Sequence, residues 1–467
     1  MNNKTDADTA KMRPTPAERK AAGQAQRKAC ERDWLSRAPT PGDDGRDPVA
    51  WLRASNKGRV PELVPLRHGR MRQDPFAFYR GAAGLMANDL AALPHSGVMT
   101  QLCGDAHLSN FGFFASPERA LLFDVTDFDE TLPGPFDWDL RRLATSFVIV
   151  ARELGFRART GSDAVGELTE AYRNHMRRFA RMDTLEAWYW RLSSQTLLKL
   201  GSEDQGELAL IRKARRNTAR MFAKEATEKG AGDRLMIRDE PPFVYHDAKA
   251  TRREIRRFRE GLPAFMAQYR ASLTPERRVL LDRYELHDVA VLTPGVGSVG
   301  RRVFLLLLVA DRRHPLFLQC KEASASVLET HLGGSTTVHP GQRIVDGQRL
   351  MQAAGDIFLG WAGAPGGRTY YVRQLRDMKA SYKLEEFSPS DLREYAQACG
   401  YGLARGHAKG GDAWTLSGYL GRSTKFESSL VEFSQAYAEV NHADWQRLCR
   451  AVENGTLKAI DDPDDDA

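Results

Sequence analysis

The chain has 467 residues, 42% of them hydrophobic, and 68 Lys and Arg against 61 Asp and Glu, a formal charge of +7. That length allows a large core and two or three lobes. So slight a basic excess, spread over a mixed surface, argues against a dedicated nucleic-acid binder.

The five cysteines, Cys30, Cys103, Cys320, Cys399 and Cys449, include no C-x-x-C pair. Their odd number and wide spacing argue against a disulfide framework or a zinc site and fit a reducing compartment. The N-terminus has no apolar h-region. The longest strongly apolar run, Val303–Ala310, is too short to cross a bilayer. The expectation is a cytoplasmic protein with no membrane partner.

In chain order, residues 1–45 read as a disordered basic arm with one short helix within Ala17–Arg32. Residues 46–276 read as a helical lobe. Its first helix, Asp74–Leu93, carries Phe76, Tyr79, Ala83, Met86 and Leu90 at helical spacing. Short buried strands at Val98–Cys103 and Leu121–Val125 flank Gly104–Gly112, GDAHLSNFG. A helix over Asp139–Leu154 follows, with Leu140, Leu143, Phe147 and Val150 on one face. Ser162–Ala226 is almost continuously helical in character, and Pro241-Pro242 ends it. Arg252–Tyr269 and Thr274–Tyr284 read as further helices.

Residues 277–380 read as a small β-containing lobe. Its strands are His287–Leu292, Arg301–Ala310, Leu316–Lys321 and Thr369–Leu375, with a helix at Gln342–Ala354. Residues 381–459 return to helix at Asp391–Lys409 and Ser428–Glu453. Residues 460–467 read as a disordered acidic tail.

Two segments carry the chemistry. In GDAHLSNFG, Asp105 is placed to accept a hydroxyl proton or orient the hydroxyl for in-line attack. Asn110 offers a neutral oxygen to Mg²⁺, and Asp127, on the next strand end, a charged one. His107 orients the loop or contacts phosphate, and Asp129 is an accessory metal ligand. An Asp/Asn-rich turn between strands is the structural alternative. A metallophosphatase also uses a Gly-Asp-x-His turn, but its upstream D-x-H is missing. Asp137 and Asp139 are expected to cap the helix that follows them, with pinning of the catalytic loop as an additional role open to them.

The second segment is Pro294–Gly300, PGVGSVG. Gly295, Gly297 and Gly300 form G-x-G-x-x-G, with Ser298 among them, and strands rather than a helix follow. A glycine loop in a β-hairpin, with Lys321 at the end of the next strand, is the nucleotide-cover arrangement of kinases. Lys321 would pair with phosphates. Glu322 points to the other strand face, which leaves Glu329 as the best acidic candidate to partner Lys321, while the helix Gln342–Ala354 offers Gln348 and Arg349 and the choice stays open. The strand holding Gln374 would lead into a hinge that meets adenine.

Taken together, GDAHLSNFG, DFDET, PFDWDLRRLA, GVGSVGRR, LQCKEA, GQRLMQAAGD, YVRQLRDMK and LARGHAKGGD resemble the uncharacterised bacterial family called domain of unknown function 2252, over roughly residues 50–455. More distantly, GDAHLSN, DFD and D-W-D-L are similar to the catalytic segment of aminoglycoside phosphotransferases and choline kinases. That similarity implies Asp105 as base, Asn110 and Asp127 as metal ligands, and Asp139 as a structural aspartate. The order departs from it, because the glycine loop and Lys321 come after the catalytic loop. The expected fold is therefore α+β, bilobal and protein-kinase-like, circularly permuted, with a large helical lobe. The expected activity is Mg²⁺-ATP-dependent phosphoryl transfer to a hydroxyl of an unknown small molecule or protein. Transfer of AMP to a protein and non-catalytic nucleotide sensing remain as alternatives.

Overall fold

The computed structural model describes residues 13–42, 45–200, 211–212, 215–216, 219–230, 232, 234–241, 243–246, 248, 251–293, 296–335, 337–375, 380 and 382–461. The architecture is mixed α+β. Among the described residues no helix is long and apolar enough to cross a membrane.

The helical part is built around the helix Phe136–Glu153, of which sixteen residues are buried. Leu140, Leu143 and Phe147 share one core with Tyr172 of the helix Ala158–Arg181 and Leu403 of the helix Pro389–Gly410. Phe433 and Tyr437 of the helix Lys425–Glu453 complete it. Four short strands edge this bundle: β1 (Met99–Leu102), β2 (Phe111–Ala115), β3 (Leu121–Val125) and β4 (Leu132–Pro135). β1 pairs antiparallel with β4, and β2 with β3.

A further pair, β5 (Thr227–Lys229) and β6 (Leu235–Ile237), precedes the main sheet. That sheet has six antiparallel strands, β7 (Val244–Tyr245), β8 (Glu285–Leu292), β9 (Val303–Ala310), β10 (His314–Ala323), β11 (Gly360–Ala364) and β12 (Arg368–Gln374). Their order is β11-β12-β10-β9-β8-β7. β9 is buried at every position, and the reason is that both faces are covered. Leu306 and Leu308 pack with Phe258, Phe265 and Tyr269 of two covering helices. Leu305, Leu307 and Val309 pack with Ala223 and Ile237 on the other face. Alternation along the strand assigns the two sets. Lys321, in β10, sits opposite Val303 on one side and Tyr371 on the other.

Several expectations need correction. The Asp74–Leu93 helix is broken at Ala82 into Pro75–Gly81 and Ala83–Ala91. Arg67 Nη2 takes the Gly81 carbonyl at 3.0 Å, which removes it from the helical ladder. The Ser162–Ala226 stretch is not continuous, because Asp183 caps a new helix, Thr184–Tyr189. Residues 13–42 are packed rather than a loose arm. The helix Pro16–Ala29, opened by a Thr15–Glu18 capping box, docks through Gly23 onto the backbone of Thr415. Contact through a glycine adds almost nothing to apolar content, so composition alone missed it. Residues 462–467 of the acidic tail lie outside the described residues.

Candidate active site

The loop after β1 is fixed before its side chains are placed. Gly104 has φ 85°, and a Cβ there would overlap the backbone of Glu130. Only glycine fits that combination. Asp139 then accepts from the backbone N–H of Cys103 at 2.8 Å and of Gly104 at 3.0 Å. Its Oδ2 also lies 3.1 Å from His407 Nε2, and His407 Nδ1 lies 2.8 Å from the Tyr172 hydroxyl. Asp137 accepts from Ser96 N–H at 3.0 Å. Neither aspartate caps its own helix, whose N-cap is Pro135 with no side-chain bond. The expected caps are therefore corrected: both carboxylates hold backbone from elsewhere in the fold.

Asp105 lies on this pinned loop, and its side chain is about a quarter exposed. Arg142 brings Nε and Nη2 each to 2.6 Å from Asp105 Oδ1. The guanidinium stacks 4.3 Å from the Tyr79 ring and donates to Tyr79 O at 3.0 Å. Burial pushes the Asp105 carboxyl up to about 6, against the pull of Arg142. The group is thus ionised at neutral pH yet more basic than an ordinary aspartate.

His107 is buried, 3.9 Å from Asp105 through Nε2, with its ring edge-on to Phe76. Burial, then the charges of Arg80 and Arg142, hold its imidazole well below the usual range. It is neutral packing beneath the loop, not a surface cation.

Asn110 joins the loop to the end of β3. Its Nδ2 donates to Asp105 O at 2.8 Å, and its own carbonyl accepts from Thr126 N–H at 2.8 Å. The side-chain nitrogen is committed, so Oδ1 is the atom left to serve a cation.

Asp127 follows directly. Its Oδ1 accepts from Asp129 N–H at 3.1 Å, and its Oδ2 lies 3.8 Å from Lys321 Nζ. Lys321 also pairs with Asp129. Burial alone would lower the Lys321 ammonium, but Asp127 and Asp129 outweigh it and raise it above its usual range. Burial would likewise raise Asp129, and Lys321 outweighs it and holds that carboxyl below the ordinary range. Asp129 Oδ1 is buried and makes no hydrogen bond.

Glu329 is not the partner of Lys321. It accepts from Ser326 N–H at 2.8 Å and lies 3.4 Å from Arg343 Nε. The helix Pro340–Met351 instead contributes Arg343, which donates to Asp129 O at 2.8 Å and to Ser324 O at 2.9 Å.

Pro294 and Gly295 lie outside the described residues. The rest of the glycine loop is held from outside the sheet. Arg59 donates to Gly297 O at 3.2 Å through both Nη1 and Nη2, and Gly300 O accepts from Val60 N–H at 2.8 Å. Gly300 is left-handed, at φ 82°. Ser298 ends a short 3₁₀ turn and its carbonyl accepts from Arg301 N–H at 3.0 Å. Arg80 is nearby, and the charges of Asp105, Asp74 and Asp127 oppose its desolvation.

Gln374 follows on the same edge of the cluster. Its N–H donates to Asp356 at 2.6 Å, and it lines a cavity of about 210 Å³ with Thr126, Gln348, Gln352 and Arg373. Residues 376–379, the expected hinge, lie outside the described residues.

Sequence reasoning missed Arg59, Arg80, Arg142 and Arg343. Of these, Arg142 left a trace: two arginines interrupt the apolar face of an otherwise buried helix.

The family described as "Uncharacterized protein conserved in bacteria (DUF2252)" matches residues 59–451. The chain belongs to the DUF2252 family. No curated protein and no solved structure matches it. The range matched by DUF2252 takes in every residue of the cluster just described, from Arg59 through Lys321 to His407.

Among the described residues of this DUF2252 member, no group of three or more His, Cys, Asp or Glu side chains forms a ready-made cation site. Mg²⁺ asks for less, since it keeps waters and takes further oxygens from a phosphate ligand. Asn110 Oδ1, the Asp127 carboxylate and the orphaned Asp129 Oδ1 are hard oxygens of the right kind. By donor type they suit a site completed by waters and a phosphate ligand rather than a closed cage.

Proposed function

We propose that the protein is a Mg²⁺-ATP-dependent phosphotransferase with a circularly permuted, protein-kinase-like arrangement, acting on a hydroxyl acceptor. The observation that carries this reading is the 3.8 Å approach of Lys321 Nζ to Asp127 Oδ2. A lysine from the central strand of a sheet and an aspartate following a two-stranded hairpin are the pair that binds nucleotide phosphates and their metal in such enzymes.

The order of elements supports it. Read from β8, the chain gives a glycine loop, a strand with Lys321, a helix, the strand β12 and the helix Pro389–Gly410. The end of that last helix lies on β1, with Thr100 Oγ1 donating to His407 O at 3.0 Å and Gly411 packed on Thr100. Passing from the helix end to β1 restores the kinase order: catalytic loop, β2–β3 hairpin, Asp127, and a helix whose Asp139 holds the loop.

The residues take these roles. Asp105 accepts or orients the acceptor proton, and Arg142 fixes which way its carboxylate faces. Lys321 neutralises phosphate charge. Asn110, Asp127 and Asp129 would hold Mg²⁺, which supplies charge neutralisation at the phosphates. The protein's contribution is position and preset charge rather than a covalent step.

The test is thermal stabilisation at millimolar Mg²⁺-ATP in wild type, Lys321→Ala and Asp127→Ala. A shift in wild type alone is expected. No shift in wild type would remove the reading. Product analysis with ATP labelled at the α- or γ-phosphate then separates AMP transfer from phosphoryl transfer.

A further inference from the structure

The helix Ala413–Leu420 ends at Gly421, which is left-handed at φ 70°. Three arginines from elsewhere in the chain meet there. Arg27 Nη1 donates to Gly418 O at 3.2 Å, Arg32 Nη1 to Leu420 O at 2.7 Å, and Arg177 Nη2 to Gly421 O at 3.2 Å. A side chain at Gly421 would collide with the Arg27 guanidinium. Cations bound to the last carbonyls are an ordinary way to finish a helix.

Capping does not account for the rest of the charge. Lys20, Arg181 and Arg422 join Arg27 and Arg177 around a cavity of about 220 Å³, with Trp414 in its wall and no Asp or Glu lining it. Two neighbouring acids are engaged elsewhere, Asp412 with Arg19 at 2.6 Å and Glu427 with Arg173 at 2.7 Å, and Glu186 lines the adjoining cavity rather than this one. Burial and the charges of Arg173, Arg422 and Arg181 all push the Arg177 guanidinium down. The cluster therefore repels itself and would be relieved by a multiply charged anion. Each arginine that caps spends Nη1 or Nη2 on backbone and keeps other N–H groups for a ligand.

We infer that this cavity binds a compact phosphate-bearing anion, of the polyphosphate or small phosphoester class, at a site distinct from the Lys321–Asp127 cluster. Size favours a compact ligand, because pockets that enclose drug-sized molecules run to roughly 300–1,000 Å³. Arginine forks match phosphoryl oxygens, and Trp414 offers a face to whatever carries them. A free small anion and a nucleic-acid backbone share this chemistry.

The experiment is calorimetric titration of the full chain with tripolyphosphate and, separately, with a single-stranded oligothymidylate. Wild type, Lys321→Ala, the pair Arg177→Glu/Arg181→Glu and the pair Lys20→Glu/Arg422→Glu are compared. Saturable tripolyphosphate binding is expected in wild type and Lys321→Ala, weakened on the order of tenfold or more in each pair. Lys20 and Arg422 are both exposed, so the second pair decides if the first unfolds. Competition by the oligonucleotide would assign the phosphates to a nucleic-acid backbone, and its failure to compete would assign them to a free anion. No saturable binding in wild type, or undiminished binding in a folded Lys20/Arg422 pair, would overturn the site. Loss of binding in Lys321→Ala with both pairs unaffected would also overturn it.

Discussion

Lys321 Nζ stands 3.8 Å from Asp127 Oδ2, although the lysine belongs to the six-stranded sheet and the aspartate to a loop of the helical part. This pair, with Asp129, ties the two parts of the fold together at a buried point. Replacing Lys321 by Met would leave Asp129, whose Oδ1 is buried, without its cation. We expect a loss of about 3 kcal/mol, since removing one partner of a buried pair leaves the other uncompensated. Urea unfolding of wild type and variant measures it. Stability within about 0.5 kcal/mol of wild type would show that the pair does not hold the lobes.

Arg142 tests positioning. Arg142→Lys keeps a positive charge but cannot place two nitrogens on one oxygen of Asp105 while also meeting Tyr79 O. Under the proposed function, phosphoryl transfer should fall on the order of a hundredfold. Stabilisation by Mg²⁺-ATP should stay near wild type, because Arg142 does not touch Lys321 or Asp127. Equal losses in both measurements would assign Arg142 to nucleotide binding instead.

Gly104→Ala combines a positive φ with a collision against Glu130 backbone. Backbone cannot yield as a flexible side chain does. A destabilisation of about 3 kcal/mol or more is expected. Gly155 is the internal control. It too has positive φ, at 69°, but has nothing within 4 Å of its would-be Cβ. Gly155→Ala should cost only about 1 kcal/mol. Melting temperatures of the two variants should therefore differ clearly.

The pH dependence is tested at His246, which lies 2.9 Å from Asp288 and 2.7 Å from Asp239. The hydrogen bond to Asp288, then the two carboxylate charges, raise its imidazole above the usual value despite some burial. A raised folded pKa means the charged form is favoured by folding. That stability is fully present below the unfolded value of about 6.5 and is lost as pH rises through the folded value. Urea midpoints should fall more between about pH 6 and pH 8.5 in wild type than in His246→Gln. Parallel profiles would mean the pair adds nothing.

Particular residues show where the sequence was legible. The strand expected over Arg301–Ala310 is found at Val303–Ala310, and its unbroken apolar content is explained by burial on both faces. Gly104–Gly112 stood out as a candidate loop by the spacing of Asp105, Asn110 and Asp127, and the fold ties Asn110 to Asp105 and sets Asp127 beside Lys321. Asp139, near a helix start, suggested a cap with a possible second role in pinning the Gly104 loop, and the fold shows only the second, its carboxylate on the backbone of Cys103 and Gly104. Local position suggests a local partner, and only the fold reveals that a distant one is closer.

The amino-acid sequence by itself determined the elements: periodicity set most helices and strands, and spacing singled out Asp105, Asn110, Asp127 and Lys321. Tertiary structure decided the partners. Lys321 meets Asp127 and Asp129 rather than Glu329, and Asp105 meets Arg142. The physical reason is range. Backbone propensity and apolar period act over a few residues. An ion pair between chain segments far apart is chosen by how packed elements bring them together, and no local pattern records that choice.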